Sequence, residues 1–140
     1  MSDPTDLGPR HAGLDAIRNL DYTVLICDDL ARMREFYTDV LGFQVHEEIP
    51  GRWIGLRVGS SLVALRRRGP RDGGPLSGGG ASVQLAFRVP PGDVAAAERQ
   101  LVARGVEPLE PVVDQPFGHR TLFFADPERN VIEIYAELDR

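Results

Sequence analysis

The stretch DDLARMREFYTDVLGF, residues 28–43, encodes one helix together with both of its ends. The short carboxylate of Asp29 suits an N-cap, Leu30, Met33, Tyr37 and Val40/Leu41 recur at helical spacing, and Gly42 stands where a left-handed residue closes a helix. Upstream, LDYTVLIC (20–27) alternates with period two, placing Thr23, Leu25 and Cys27 on one face and Tyr22, Val24 and Ile26 on the other. Downstream, FQVHEEI (43–49), RWIGLRV (52–58) and SLVALRR (61–67) read as three short strands joined by Pro50-Gly51 and Gly59-Ser60 turns. The order is strand, helix, strand, strand, strand.

The same order is then written again. After the glycine-rich segment RGPRDGGPLSGGGAS (68–82), SVQLAFRV (82–89) reads as a strand. PPGDVAAAERQLVARG (90–105) reads as a helix, with Asp93 as N-cap, Val94, Ala97 and Leu101 on one stripe, and Gly105 as terminator. VEPLEPVV (106–113), HRTLFFA (119–125) and NVIEIYAEL (130–138) supply three more strands. Superposing the halves pairs Tyr22 with Gln84 and Ala64 with Glu133, and aligns Val63–Leu65 with Ile132–Ile134. The expected organisation is a leader at 1–18, a βαβββ module at 19–67, a linker at 68–81 and a second βαβββ module at 82–140, an α+β architecture. Units this small need a partner for their sheet faces, either each other or a second chain.

The 140 residues carry a formal charge of −5, so no global positive field attracts a polyanion, and nucleic acid is not an expected partner. Cys27 is the sole cysteine, which excludes an intrachain disulfide and a thiolate metal cluster and suits a reducing cytoplasm. The N-terminal residues lack the apolar run of a signal peptide, and no stretch approaches the roughly 20 apolar residues of a membrane span. A cytoplasmic protein without a membrane partner is therefore expected.

Two segments, DLARMREFYTDVLGF (29–43) and FGHRTLFFADPERNVIEIY (117–135), at this spacing and on either side of the linker, resemble the vicinal oxygen chelate superfamily. That superfamily includes glyoxalase I, bleomycin-type resistance proteins and extradiol dioxygenases. The resemblance implies paired modules whose sheets curl around a shared cleft, a small-molecule ligand and a homodimer. Its metal-holding positions correspond here to Tyr22, Ala64, Gln84 and Glu133, where many members have histidine and glutamate. Alanine donates nothing, a tyrosine phenol is mostly protonated near neutral pH, and Gln84 offers only a neutral amide oxygen beside the Glu133 carboxylate. Gln84 and Glu133 are thus weak candidates for a divalent metal (Zn, Ni, Fe or Mn), with His46 and His119 as unorthodox third ligands, and no cofactor is favoured.

Strand parity sets the expected cleft lining. If Tyr22 and Glu133 face inward, Val24, Ile26, Leu62, Ala64, Gln84, Ala86, Arg88, Val131 and Tyr135 do too. Leu25, Val63, Leu65, Leu85, Phe87, Ile132 and Ile134 then pack on the helices. Trp53, the sole tryptophan, and Phe117 with Tyr135 are positioned to stack on a flat ligand, while Arg88 offers a polar contact. Glu133 has three readings: a residual metal ligand, a hydrogen-bonding group for Gln84, Tyr22 or a cationic ligand, or a general base acting without metal. The functional expectation is a cleft that binds a small, partly aromatic molecule without a catalytic metal. The alternatives are a metal-dependent lyase, isomerase or dioxygenase acting on vicinal oxygens, and a homodimer with a vestigial cleft.

Overall fold

A computed structural model describes residues 12–74 and 83–139. The N-terminal part of the leader, His11 included, and the stretch 75–82 of the glycine-rich segment lie outside the described residues. In the first module, β1 (Tyr22–Cys27) leads into α1 (Leu30–Glu35), followed by β2 (Gln44–Ile49), β3 (Trp53–Val58) and β4 (Ser61–Arg67). In the second, β5 (Gln84–Arg88) leads into α2 (Asp93–Ala103), followed by β6 (Val113–Asp114), β7 (His119–Ala125) and β8 (Val131–Glu137). Each module makes its own four-stranded mixed sheet, in the orders β1-β4-β3-β2 and β5-β8-β7-β6. The α+β fold of two βαβββ modules is therefore the one read from the sequence.

The repeat extends to the register. Where β1 runs parallel to β4, Tyr22 lies opposite Leu62 and Val24 opposite Ala64; where β5 runs parallel to β8, Gln84 lies opposite Val131 and Ala86 opposite Glu133. Tyr22 and Gln84 are thus structural counterparts, as are Ala64 and Glu133. One face of each sheet, here called the back, carries Leu25, Val63, Leu65, Leu122, Phe124, Ile132 and Ala136. These residues join Leu30, Met33, Phe36, Tyr37, Val94 and Leu101 of the helical segments in one core. Each fully buried Val, Leu, Ile, Phe or Met side chain contributes about 1.5–3 kcal/mol relative to exposure, so this shared core holds the modules together.

Asp29 accepts from the Arg32 amide at 3.1 Å, as an N-cap should. Past Glu35 the helix widens: the Leu41 amide reaches the Phe36 carbonyl at 3.1 Å, an i to i+5 bond, and consecutive Phe36 and Tyr37 are both buried. Gly42 and Gly105 follow the two helices with φ of +77° and +83°, a conformation open to glycine at little cost.

Two local expectations need correction. Asp93 is the first residue of α2, and Gly92 holds the cap position without a side-chain cap bond. The strand expected at 106–113 shrinks to Val113–Asp114, because Pro108 and Pro111 lack the amides a ladder requires. In the turn before β8 Arg129 is left-handed, with φ of +73°.

The modules are also tied by polar bonds from that turn. The Glu128 carboxylate accepts from the Asp28 amide at 2.8 Å and the Asp29 amide at 2.9 Å, so one module supplies an anion at the helix start of the other. The Tyr37 hydroxyl donates to buried Asp126 at 2.7 Å, and Asp126 also accepts from the amides of Glu128 and Asn130 and from the Asn130 side chain. Within the glycine-rich segment, Asp72 accepts two bonds from Arg66, at 2.8 and 2.9 Å, and one from the Gly69 amide, which anchors its start against β4.

Candidate functional site

The sheet faces opposite the core, here called the front faces, carry the residues that strand parity singles out. On the first module the front of β1 presents Tyr22, Val24 and Ile26, and the cross-strand register continues this face through Leu62 and Ala64 to Trp53, Gly55 and Arg57. Tyr22 and Trp53 meet edge to face with ring centroids 5.8 Å apart. Tyr22 keeps 47% of its surface exposed, an unusual state for an aromatic ring inside a sheet face.

On the second module the front holds Gln84, Ala86 and Arg88 of β5, Val131, Glu133 and Tyr135 of β8, and His119, Thr121 and Phe123 of β7. Gln84 Nε2 donates to Glu133 Oε1 at 3.0 Å. Glu133 therefore stands on the open side of the sheet while its chain neighbour Ile132 is fully buried on the other. Further along the same face, His119 stacks on Tyr135 with centroids 4.7 Å apart, Phe117 packs edge-on against His119, and the Arg88 guanidinium lies 5.7 Å from the Tyr135 centroid. Arg88 also donates to the Tyr135 hydroxyl and pairs with Glu137 at 3.1 Å. The result is an aromatic wall with one cation and one half-buried carboxylate.

The residues named from sequence thus gather into two groups, Tyr22 with Trp53 and Gln84, Glu133, Arg88, Phe117 and Tyr135 with His119. The polar and ring contacts of each group stay within its own module. The bonds that cross between modules, such as Tyr37 to Asp126 and Phe43 against Phe87, lie on the core side. Among the described residues, these contacts between modules leave Tyr22 and Gln84 exposed on the front faces.

Ala64 departs from expectation: it is 1% exposed and is closed to a ligand in this conformation. Its neighbour across the strand, Gly55, explains the cover. A β-carbon placed on Gly55 would sit 3.1 Å from Glu47 Cγ, 3.5 Å from Glu47 Oε1 and 3.7 Å from Trp53 Nε1, so both side chains lie over the glycine. Glu47 reaches the front because the register of β2 slips between Val45 and Glu47, which inserts His46 as an extra residue and inverts the parity beyond it. Glu48 consequently faces the helix side, where it pairs with Arg34 of α1 at 2.9 Å. Parity counting without the bulge misses Glu47; the available signal was Gly55, a glycine inside a strand, which marks close approach by a neighbour.

The chemistry of the donors bears on the metal that the fold family implies. Gln84 offers only a neutral amide oxygen beside the Glu133 carboxylate to which its amide nitrogen donates, and Ala64 supplies no donor. His119 lies opposite Glu137, four residues along β8 from Glu133 and so roughly 13 Å away along the strand, too far to share an ion with it. His46 is exposed on β2 and its Nδ1 accepts from Arg57 Nη2 at 2.9 Å. Among the described residues no three His, Cys, Asp or Glu side chains stand together as a metal-holding group. The described side chains of one chain therefore do not bring together the three donors that a catalytic metal needs.

No helix among the described residues is long and apolar enough to cross a membrane. Comparison with known proteins agrees with the repeat and the topology. A Bacillus subtilis (strain 168) protein, YwkD, described as uncharacterised, is 30% identical over 131 residues, covering 86% of this chain and 98% of its own length. A glyoxalase/bleomycin resistance protein/dioxygenase from Nocardioides superposes with a TM-score of 0.75 at 26% identity, covering 88% of this chain and 85% of that one. TioX from Micromonospora sp. ML1 superposes with a TM-score of 0.70 at 25% identity, covering 86% and 100%. The sequence profile of the Glyoxalase/Bleomycin resistance protein/Dioxygenase superfamily matches residues 19–134, both modules of the repeat, and the chain belongs to that superfamily.

Proposed function

We propose that this protein binds a small, flat, partly aromatic molecule, without a catalytic metal, in a cleft completed when the front faces of two copies come together. The observation that carries this reading is the makeup of those faces. Tyr22 and Trp53 on one module, and Phe117, His119 and Tyr135 on the other, offer ring surface for stacking, and Gln84, Glu133 and Arg88 offer polar contacts that fix orientation. The donor set supports the metal-free reading, since one carboxylate, one neutral amide oxygen and an alanine at an equivalent position make a poor cage. A cytoplasmic setting fits the single reduced thiol at Cys27.

One observation favours an enzyme instead: Glu133 is a half-buried carboxylate on the ligand side of the sheet, where a general base would stand. Elemental analysis of protein supplied with Zn, Ni, Fe and Mn separates the readings, together with a thermal-shift screen of aromatic compounds. A binder takes up no stoichiometric metal and gains about 2–4 kcal/mol of stability from a ligand at 100 to 1,000 times its Kd. Stoichiometric metal retained through dialysis overturns the metal-free reading. Turnover that Glu133→Gln abolishes would make Glu133 a base.

A further inference from the structure

We propose that Glu47 and Trp53, folded together over Gly55, form a subsite for a cationic group, an ammonium or protonated ring nitrogen, on the ligand of this cleft. The proposal rests on the binding reading above and names the chemistry its ligand must carry.

Three observations converge on Glu47. The bulge at His46 turns it onto the front face, the missing side chain of Gly55 makes room for it, and Trp53 lies over the same glycine. Bulges that re-aim one side chain and glycines that admit another are both found where a strand is shaped for contact. The charge balance of the face points the same way. Arg66 is held by Asp72 and Arg88 by Glu137, Arg57 on the same face bonds His46, and Glu48 is held on the opposite side by Arg34, whereas the Glu47 carboxylate has no cation or hydrogen-bond donor within bonding distance among the described residues. An exposed carboxylate beside an indole is a pairing that holds an organic cation, with charge from the acid and apolar ring surface from the indole. The repeat gives this position its meaning: the second module presents its acid on β8 at Glu133, and the first, with Ala64 at the equivalent place, presents one from β2 instead.

Three acridines of nearly identical shape test the charge: proflavine, cationic at neutral pH, neutral acridine and anionic acridine-9-carboxylate. Calorimetry gives affinities, and the fluorescence of Trp53, the sole tryptophan, reports whether the ring reaches the subsite. Proflavine is expected to bind about tenfold or more tightly than acridine, and the carboxylate more weakly still. Glu47→Gln should bring proflavine to within about twofold of acridine. Glu48→Gln should leave the preference intact, and Gly55→Val, which displaces Glu47 without changing any charge, should reduce it.

Equal affinities, or a preference that survives Glu47→Gln, would overturn the cationic subsite while the cleft reading stands. A thermal-shift screen whose hits are all neutral or anionic would do the same. Failure of every ring, here and in that screen, would remove the binding reading itself. Stoichiometric binding of Zn or Mn that Glu47→Gln abolishes would replace the organic cation with a metal.

Discussion

Arg129 occupies a backbone conformation that side chains resist. Its φ of +73° closes the turn in which the Arg129 amide donates to Asp126 and the Asp126 amide to Asn130. A left-handed residue with a β-carbon costs roughly 1–2 kcal/mol, partly offset in glycine by the larger entropy it loses on folding. Arg129→Gly is therefore expected to raise the urea unfolding free energy by about 0.5–1 kcal/mol; a decrease would show that contacts of the arginine side chain outweigh the strain. The front-face position of Glu133 was legible because period two cannot place Ile132 in the core without turning Glu133 to the front. Glu47 was not, because a bulge is one residue of register and leaves the composition of the strand unchanged.

At the scale of elements, the legible parts were those set by local chemistry. The helix of the first module announced itself through Asp29, its apolar spacing and Gly42. What caps that helix from outside was invisible, since Glu128 arrives from a hundred residues away. Charge-assisted bonds to two otherwise free amides contribute more than neutral ones, so Glu128→Ala is expected to cost about 1–3 kcal/mol in urea or thermal unfolding. Glu128→Gln, which keeps an acceptor, should recover part of that loss. Because the apolar core still spans the modules, the variant should unfold in one transition but at lower denaturant. Two separate transitions would mean that the apolar core does not couple the modules by itself.

Across the whole molecule, the shared core sets how stability varies with pH. Burial pushes the Cys27 thiol from its ordinary value of 9.0 up to about 12, with the nearby Glu128 carboxylate adding to the shift. Burial, reinforced by Asp126, also raises the Tyr37 phenol well above its ordinary 10.0. Both groups stay protonated in the folded chain where the unfolded chain has released its protons. Stability should hold up to about pH 9 and then decline, by about 1.4 kcal/mol per pH unit for the first group and more once the phenol joins. Denaturant titrations from pH 7 to 11 check this, and Cys27→Ala should flatten the onset near pH 9.

The same core leaves the two fronts outside it, and the proposed two-copy cleft predicts the state of the protein in solution. Tyr22, Ile49 and Val113 on the front faces, and Phe117 at the entry to β7, keep between 40 and 62% of their surface exposed. Leu14, Ile17 and Leu20 ahead of β1 are more exposed still. So much apolar surface around two open sheet faces favours a second copy as cover, placing the first module of one chain opposite the second module of the other. Light scattering at tens of micromolar is accordingly expected to give twice the 15.4 kDa chain mass. Ile49→Asp combined with Phe117→Asp should shift the protein to monomer, keep its circular dichroism, and abolish ligand binding in the same titration. A monomer that binds its ligand as tightly as the unaltered protein would show that one chain builds the cleft alone.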